Sequence, residues 1–165
     1  MGSRSLTWSS QPYTDDKWLI IMPLPCGNHH LGLDINGRWV TEKSESGLTT
    51  VQDQDYFYDV LMSVINKPLV EFICELKKYI QKSQLPEVVI YEFPFDKLIC
   101  FAARTGDGGY WTQLASSWLE QGYPISYEIA CALDQANGNE HFATYLKKKR
   151  VDDLMSLLIC KKYNH

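Results

Sequence analysis

Tyr110-Trp111-Thr112-Gln113-Leu114-Ala115-Ser116-Ser117-Trp118-Leu119 lies between Gly108-Gly109 and Gly122, and its reading decides the fold. Trp111, Leu114, Ala115, Trp118 and Leu119 recur at i, i+3, i+4, i+7 and i+8, the apolar stripe of one helix face. The spacing predicts a buried helix with two tryptophans on its inner stripe, each able to bury about 150–250 Å². Gly122 stands where the residue just past a helix end is expected. A helix this apolar needs other elements packed on it, and nothing in the stretch names a reaction.

The stretches that precede it change period once. Lys17 to Met22 has strand character and stops at Pro23. Leu31, Leu33 and Ile35 alternate with Gly32 and Asp34, and Asn36-Gly37 is the dipeptide preferred by a two-residue type I′ turn, so the segment reads as a β-hairpin. Glu42 to Thr49 reads as a loop. From about Thr50 the period becomes 3.6. Tyr56, Phe57, Val60, Leu61, Val64 and Ile65 make one helix face, and Leu69, Phe72, Ile73, Leu76, Tyr79 and Ile80 make a second after Pro68, which is acceptable at the first helical position. Glu87 to Phe93 is rich in β-branched residues yet stands between Pro86 and Pro94, where a short buried helix fits as well as a strand; helix is the reading adopted.

Further helices are expected over Phe95–Arg104, Ser126–Asp134 (through Ile129, Ala130 and Leu133), His141–Lys149 and Val151–Ile159. The expected class is α+β, mostly α: an N-terminal β-hairpin followed by a bundle or irregular solenoid of about seven short helices. We expect one domain over 1–165, with a β-containing region at 1–49 and a helical region at 50–162.

A chain of 165 residues can bury about 70% of the surface it exposes when unfolded, enough for a sizeable core. Its 45% hydrophobic and 22% charged residues match soluble globular domains. Apolar runs such as Trp18–Met22 are far short of the roughly 18 residues of a spanning helix, and no secretory h-region is visible near the N-terminus. Five cysteines (Cys26, Cys74, Cys100, Cys131, Cys160) show no paired spacing, which points to reduced thiols and a cytoplasmic setting. Charge is uneven. Residues 1–146 hold 10 Lys or Arg against 18 Asp or Glu, a net −8, and residues 147–165 hold 6 against 2, a net +4. The acidic body disfavours direct binding of nucleic acid and suits a cationic protein partner.

Candidate chemistry is sparse. Cys26, His29, His30 and Asp34 form the densest group of metal-capable residues, but a structural zinc site needs a second ligand pair at similar spacing, and His141 and His165 are far away. No metal or cofactor is expected. Gly106-Asp107-Gly108-Gly109 precedes a helix but lacks the further residues of a dinucleotide or phosphate loop. Lys147-Lys148-Lys149-Arg150 reads as a solvated run, and no GxSxG is present. The carboxylates Glu42, Glu45, Asp53, Asp55 and Asp59, near the β–α junction, read as a docking patch.

The run Tyr110-Trp111-x-x-Leu114-Ala115-x-x-Trp118-Leu119-x-x-Gly122, followed by a helix to Leu133 and a basic segment, resembles the helical part of bacterial immunity proteins of polymorphic-toxin and contact-dependent growth inhibition systems, over residues 68–158. The resemblance implies a cytoplasmic, non-catalytic protein that binds one cognate toxin, through its C-terminal toxin domain, and occludes the active site, in many cases that of a nuclease. Toxin contacts vary within that family, so it transfers no residue. The first alternative is a helical adaptor or scaffold for a peptide or protein, and the second an enzyme using His29, His30 and Asp34.

Overall fold

The computed structural model describes residues 9–10, 17–42, 47–50, 54–105 and 109–136. The chain is α+β and mostly helical, and it forms two compact units, Met1–Phe93 and Pro94–His165. The division does not fall where strands give way to helices, at residues 49–50. The sheet shares its unit with the next two helices, because both pack on it.

The first unit is built on an antiparallel meander, β1 (Ser9–Ser10), β2 (Lys17–Pro23), β3 (His30–Asp34), β4 (Trp39–Glu42) and β5 (Leu48–Thr50), hydrogen-bonded in chain order. Four strands carry it, since β1 is only two residues long. The expected hairpin is therefore the middle of a sheet, and the expected loop over Glu42–Thr49 contains β5. In β2 the register shifts between Ile20 and Met22. The extra residue, Ile21, changes the parity, so Leu19 and Met22 come to the same face as their partners Leu33 and Leu31. Both remain buried, which a strict alternation would not allow.

The β3–β4 turn also differs from the two-residue type I′ form. Gly37 N–H bonds the Asp34 carbonyl at 3.0 Å and Asp34 N–H bonds the Arg38 carbonyl at 3.0 Å, which makes a three-residue loop of Ile35, Asn36 and Gly37. Only Gly37 in this loop has positive φ (75°), where an Asn-Gly type I′ turn would need it at Asn36 as well. The cause is Asp34: its carboxylate accepts Asn36 N–H at 2.8 Å and Arg38 N–H at 2.9 Å, stabilising the wider turn.

Five α-helices, rather than about seven, are found among the described residues. They are α1 (Gln54–Leu61), α2 (Leu69–Lys82), α3 (Phe95–Arg104), α4 (Tyr110–Glu120) and α5 (Tyr127–Gln135). The stretches expected to be helical over residues 141–159 lie outside the described residues. The first expected helix splits, because Met62–Asn66 is 3-10. Ser63 Oγ donates to the Val60 carbonyl at 3.0 Å, and Pro68 holds Lys67 extended, so the chain tightens before it turns. Glu87–Glu92 is 3-10 as well. Pro86 and Pro94 bracket it, and Phe93 must be extended ahead of Pro94; six residues suffice for i to i+3 bonds but hardly for an α-helical ladder. Pro68, Pro86 and Pro94 each stand one position before the first helical residue, and their carbonyls accept the first bonds, from Phe72, Val89 and Leu98.

In the first unit an aromatic column joins sheet to helices. Phe93 meets Trp39 edge-on with centroids 5.3 Å apart and Phe72 at 5.4 Å. Each such pair adds about 0.5–1.5 kcal/mol beyond the area it buries.

In the second unit α3 packs against α4 and α5. Ala102 and Ala103 on α3 and Ala130 and Ala132 on α5 are buried, and their small side chains let the helix axes approach. The inner face of α4 is rotated from the predicted stripe. Ala115, Trp118 and Leu119 are buried as expected, but Trp111 and Leu114 are half-buried and Thr112 and Ser116 take their place. Both hydroxyls are satisfied, Ser116 by the Thr112 carbonyl at 2.8 Å and Thr112 by the Ala103 carbonyl at 3.5 Å, so burying them costs little. Gly122 (φ 100°) closes α4 with paired bonds from Gly122 N–H to Leu119 and from Tyr123 N–H to Trp118. Tyr123 then donates to Asp96 Oδ1 at 2.5 Å and lies on Phe95.

Candidate functional site

His30, Glu42, Asp34 and Arg38 of the β3 region are committed to one another locally, whereas the buried His29 Nδ1 has no hydrogen-bond partner in the protein. Glu42 accepts His30 N–H at 2.5 Å with one oxygen and bonds His30 Nδ1 at 2.8 Å with the other, across the β3–β4 pair. Arg38 grips Asp34 at the other end of β3 through Nε and Nη2, both at 2.7 Å. Burial raises the Asp34 pKa, but the Arg38 backbone N–H and guanidinium and the Asn36 N–H outweigh it and hold the carboxyl below the usual carboxylate range. His30 and Asp34 stand four residues apart along one strand, about 13 Å, so the structure does not bring them together. Cys26 Sγ donates to the Val60 carbonyl at 3.1 Å. Among the described residues no three of His, Cys, Asp and Glu converge in a way that could hold a metal ion.

Of the five carboxylates expected to dock a partner, Asp59 is exposed on α1, opposite the buried Phe57, Val60 and Leu61. Glu42 is half-buried and held by His30. Asp55 belongs to α1. Glu45 and Asp53 lie outside the described residues, as do Gly106–Gly108 of the glycine loop and the basic run Lys147–Arg150.

A different surface of the first unit has the composition of a binding face. Val70 and Cys74 lie one turn apart on the outer side of α2, and Val88 and Tyr91 lie one 3-10 turn apart on the neighbouring segment, Glu87–Glu92. Val70 is 61% exposed, Val88 54% and Tyr91 79%, and Cys74 is exposed too. The two segments are clipped together by Lys77 Nζ and Glu87 Oε1 at 2.7 Å. The hydrogen bond to Glu87 raises the Lys77 pKa, and Tyr91 and Cys74 are close enough to add to that effect. Cys74 and Tyr91 thus lie close to the ion pair, Val88 follows Glu87 in the chain, and Val70 stands one turn before Cys74 on α2. A tyrosine this exposed beside aliphatic side chains and a charged rim matches the anchor composition of protein–protein interfaces. Sequence periodicity does flag two of these positions, since Val70 and Cys74 fall off the apolar stripe of α2. Val88 and Tyr91 were hidden by the β-branched run, whose inner and outer residues depend on the 3-10 geometry.

No family model matches the chain, and no curated protein and no solved structure matches it at a significant level. Among the described residues no helix is long and apolar enough to cross a membrane.

The sheet holds a second polar feature that a loop over Glu42–Thr49 conceals. Thr41 and Thr49 are direct cross-strand partners on β4 and β5, and Trp39 shares their face two residues earlier on β4. All three are buried, yet Thr41 Oγ1, Thr49 Oγ1 and Trp39 Nε1 have no hydrogen-bond partner in the protein. Leaving such an atom unpaired costs about 1–3 kcal/mol.

Proposed function

We propose that this chain is an immunity protein, which binds the toxin domain of a cognate bacterial toxin in the cytoplasm and occludes its active site. The observation that carries the binding role is the exposure of Val70 and Cys74 on α2 and of Val88 and Tyr91 on the segment that the Lys77–Glu87 pair clips to it. Covering neighbouring exposed apolar side chains with a partner removes them from water and favours association, and tyrosine is among the residues that contribute most when covered. The net −8 of residues 1–146 favours a partner with a basic surface, such as a nuclease, by steering its approach. Asp59, exposed on α1, and Glu42, Glu45, Asp53 and Asp55 are the carboxylates proposed to meet that basic surface. The likeness of the Tyr110–Gly122 run to immunity proteins supports the same reading, and in this reading the chain itself performs no catalysis.

The test is affinity purification of the tagged full chain from its native lysate at moderate salt. The expected result is one stoichiometric partner with a cytotoxic C-terminal domain, lost with Tyr91→Ala and weakened as salt is raised. Several housekeeping proteins, or no partner at all, would overturn the immunity role and favour an adaptor that docks peptides.

A further inference from the structure

We propose that Thr41, Thr49 and Trp39 form an internal water-binding site between β4 and β5. Three observations converge on it. First, Thr41 and Thr49 are direct cross-strand partners in the β4–β5 register, and Trp39 lies on the same face of β4 two residues from Thr41. Second, Thr41 and Thr49 are 0% exposed and Trp39 is 2% exposed, so bulk solvent does not reach them. Third, the polar atom of each is without a protein partner, whereas buried polar atoms in folded proteins are almost always paired.

The chemistry of the three groups selects the ligand. Two hydroxyls can each donate and accept, and the indole N–H only donates, which together match the roughly three hydrogen bonds made by an internal water. None of the groups carries charge, so an ion would be desolvated without compensation. The near-complete burial leaves no opening for a larger molecule. The Trp39 ring is itself fixed by its edge-on contact with Phe93, which keeps the indole N–H from turning away to another partner. The site therefore ties β5, the last strand of the sheet, to β4 through side chains as well as through the backbone ladder.

A crystal structure of the full chain, at a resolution that shows ordered solvent, tests the site directly. The expected result is a solvent peak within about 3 Å of both Thr41 Oγ1 and Thr49 Oγ1. The absence of a peak there, or a protein acceptor bonded to either hydroxyl, would overturn the proposal. Denaturant unfolding of Thr41→Val, Thr49→Val and the double variant gives an independent reading. If one water serves both hydroxyls, each single change raises the unfolding equilibrium constant about 5- to 30-fold, and the double variant costs less than the product of the two. Valine substitutions that are neutral or stabilising, and additive, would show the hydroxyls to be simply unpaired and overturn the site.

Discussion

The Trp18 ring rests against Gly32 so closely that a Cβ on Gly32 would come within 2.6 Å of Trp18 Cε3 and 2.3 Å of the Leu19 carbonyl oxygen. Gly32 pairs with Ile20 in the middle of the β2–β3 ladder, so the indole takes the space that any side chain at 32 would need. The near contact is with backbone, which cannot swing aside. Gly32→Ala is expected to destabilise the protein by about 3 kcal/mol or more, in the range of severe core overpacking. Urea unfolding followed by tryptophan fluorescence measures it, and a loss below 1 kcal/mol would show that β2 can shift away.

Gln84 predicts the opposite sign. It closes α2 in the left-handed region at φ 57°, with Gln84 N–H bonded to Gln81 and Leu85 N–H to Ile80, the arrangement in which glycine is usually found. Its side chain is exposed, so nothing is lost by removing it. Gln84→Gly is expected to raise stability by about 1 kcal/mol, the cost of holding a side chain in that region less the entropy of the freer unfolded chain. An unchanged or lower melting temperature would contradict this.

The lowered pKa of Asp34 makes stability depend on pH. A carboxyl held below its unfolded value of about 3.9 contributes stability that is fully present above that pH and is lost as pH falls through the folded pKa. Asp34→Asn is expected to cost about 1–3 kcal/mol at pH 7, where the charged hydrogen bonds to Arg38 are lost. The difference from the unaltered protein should shrink when both are unfolded near pH 2. A gap that stays constant from pH 7 to pH 2 would place the effect in packing.

Burial pushes the Cys100 thiol up to about 11. Only the thiolate reacts, so at pH 8 Cys100 should be alkylated far more slowly than the exposed Cys74. Timed iodoacetamide labelling read by peptide mass spectrometry compares the two sites. Equal rates would mean that the helices around Cys100 open readily.

Tyr91→Ala separates binding from folding. With 79% of the residue in solvent, its loss should change stability by no more than about 0.5 kcal/mol, while binding of the partner falls at least about tenfold. A large loss of stability, or unchanged affinity, would remove Tyr91 from the binding face.

The apolar positions of the helices were legible in the residues, because burial of one stripe of a helix leaves a period that survives in any sequence. Phe57, Val60, Leu61, Phe72, Leu76, Ile80, Ile129 and Leu133 are buried where the period places them. Pro86 and Pro94 likewise marked the ends of Glu87–Glu92, since proline acts on its immediate neighbours. What tertiary structure decided was every choice between locally equal options. Ile21 is a bulge only because Leu31 and Leu33 need partners on one face, and β5 is a strand only because β4 offers it an edge. Thr112 and Ser116 could replace Trp111 and Leu114 on the inner face of α4 because carbonyls at Ala103 and Thr112 accept their hydroxyls. The candidate site divides in the same way. Asp59 could be placed on an exposed helix face by period alone, whereas bringing the exposed Val70 and Cys74 of α2 beside the segment that carries Val88 and Tyr91 depends on how α2 packs against that segment. Periodicity is a property of one segment; which segments share a surface is set by the packing that closes the core.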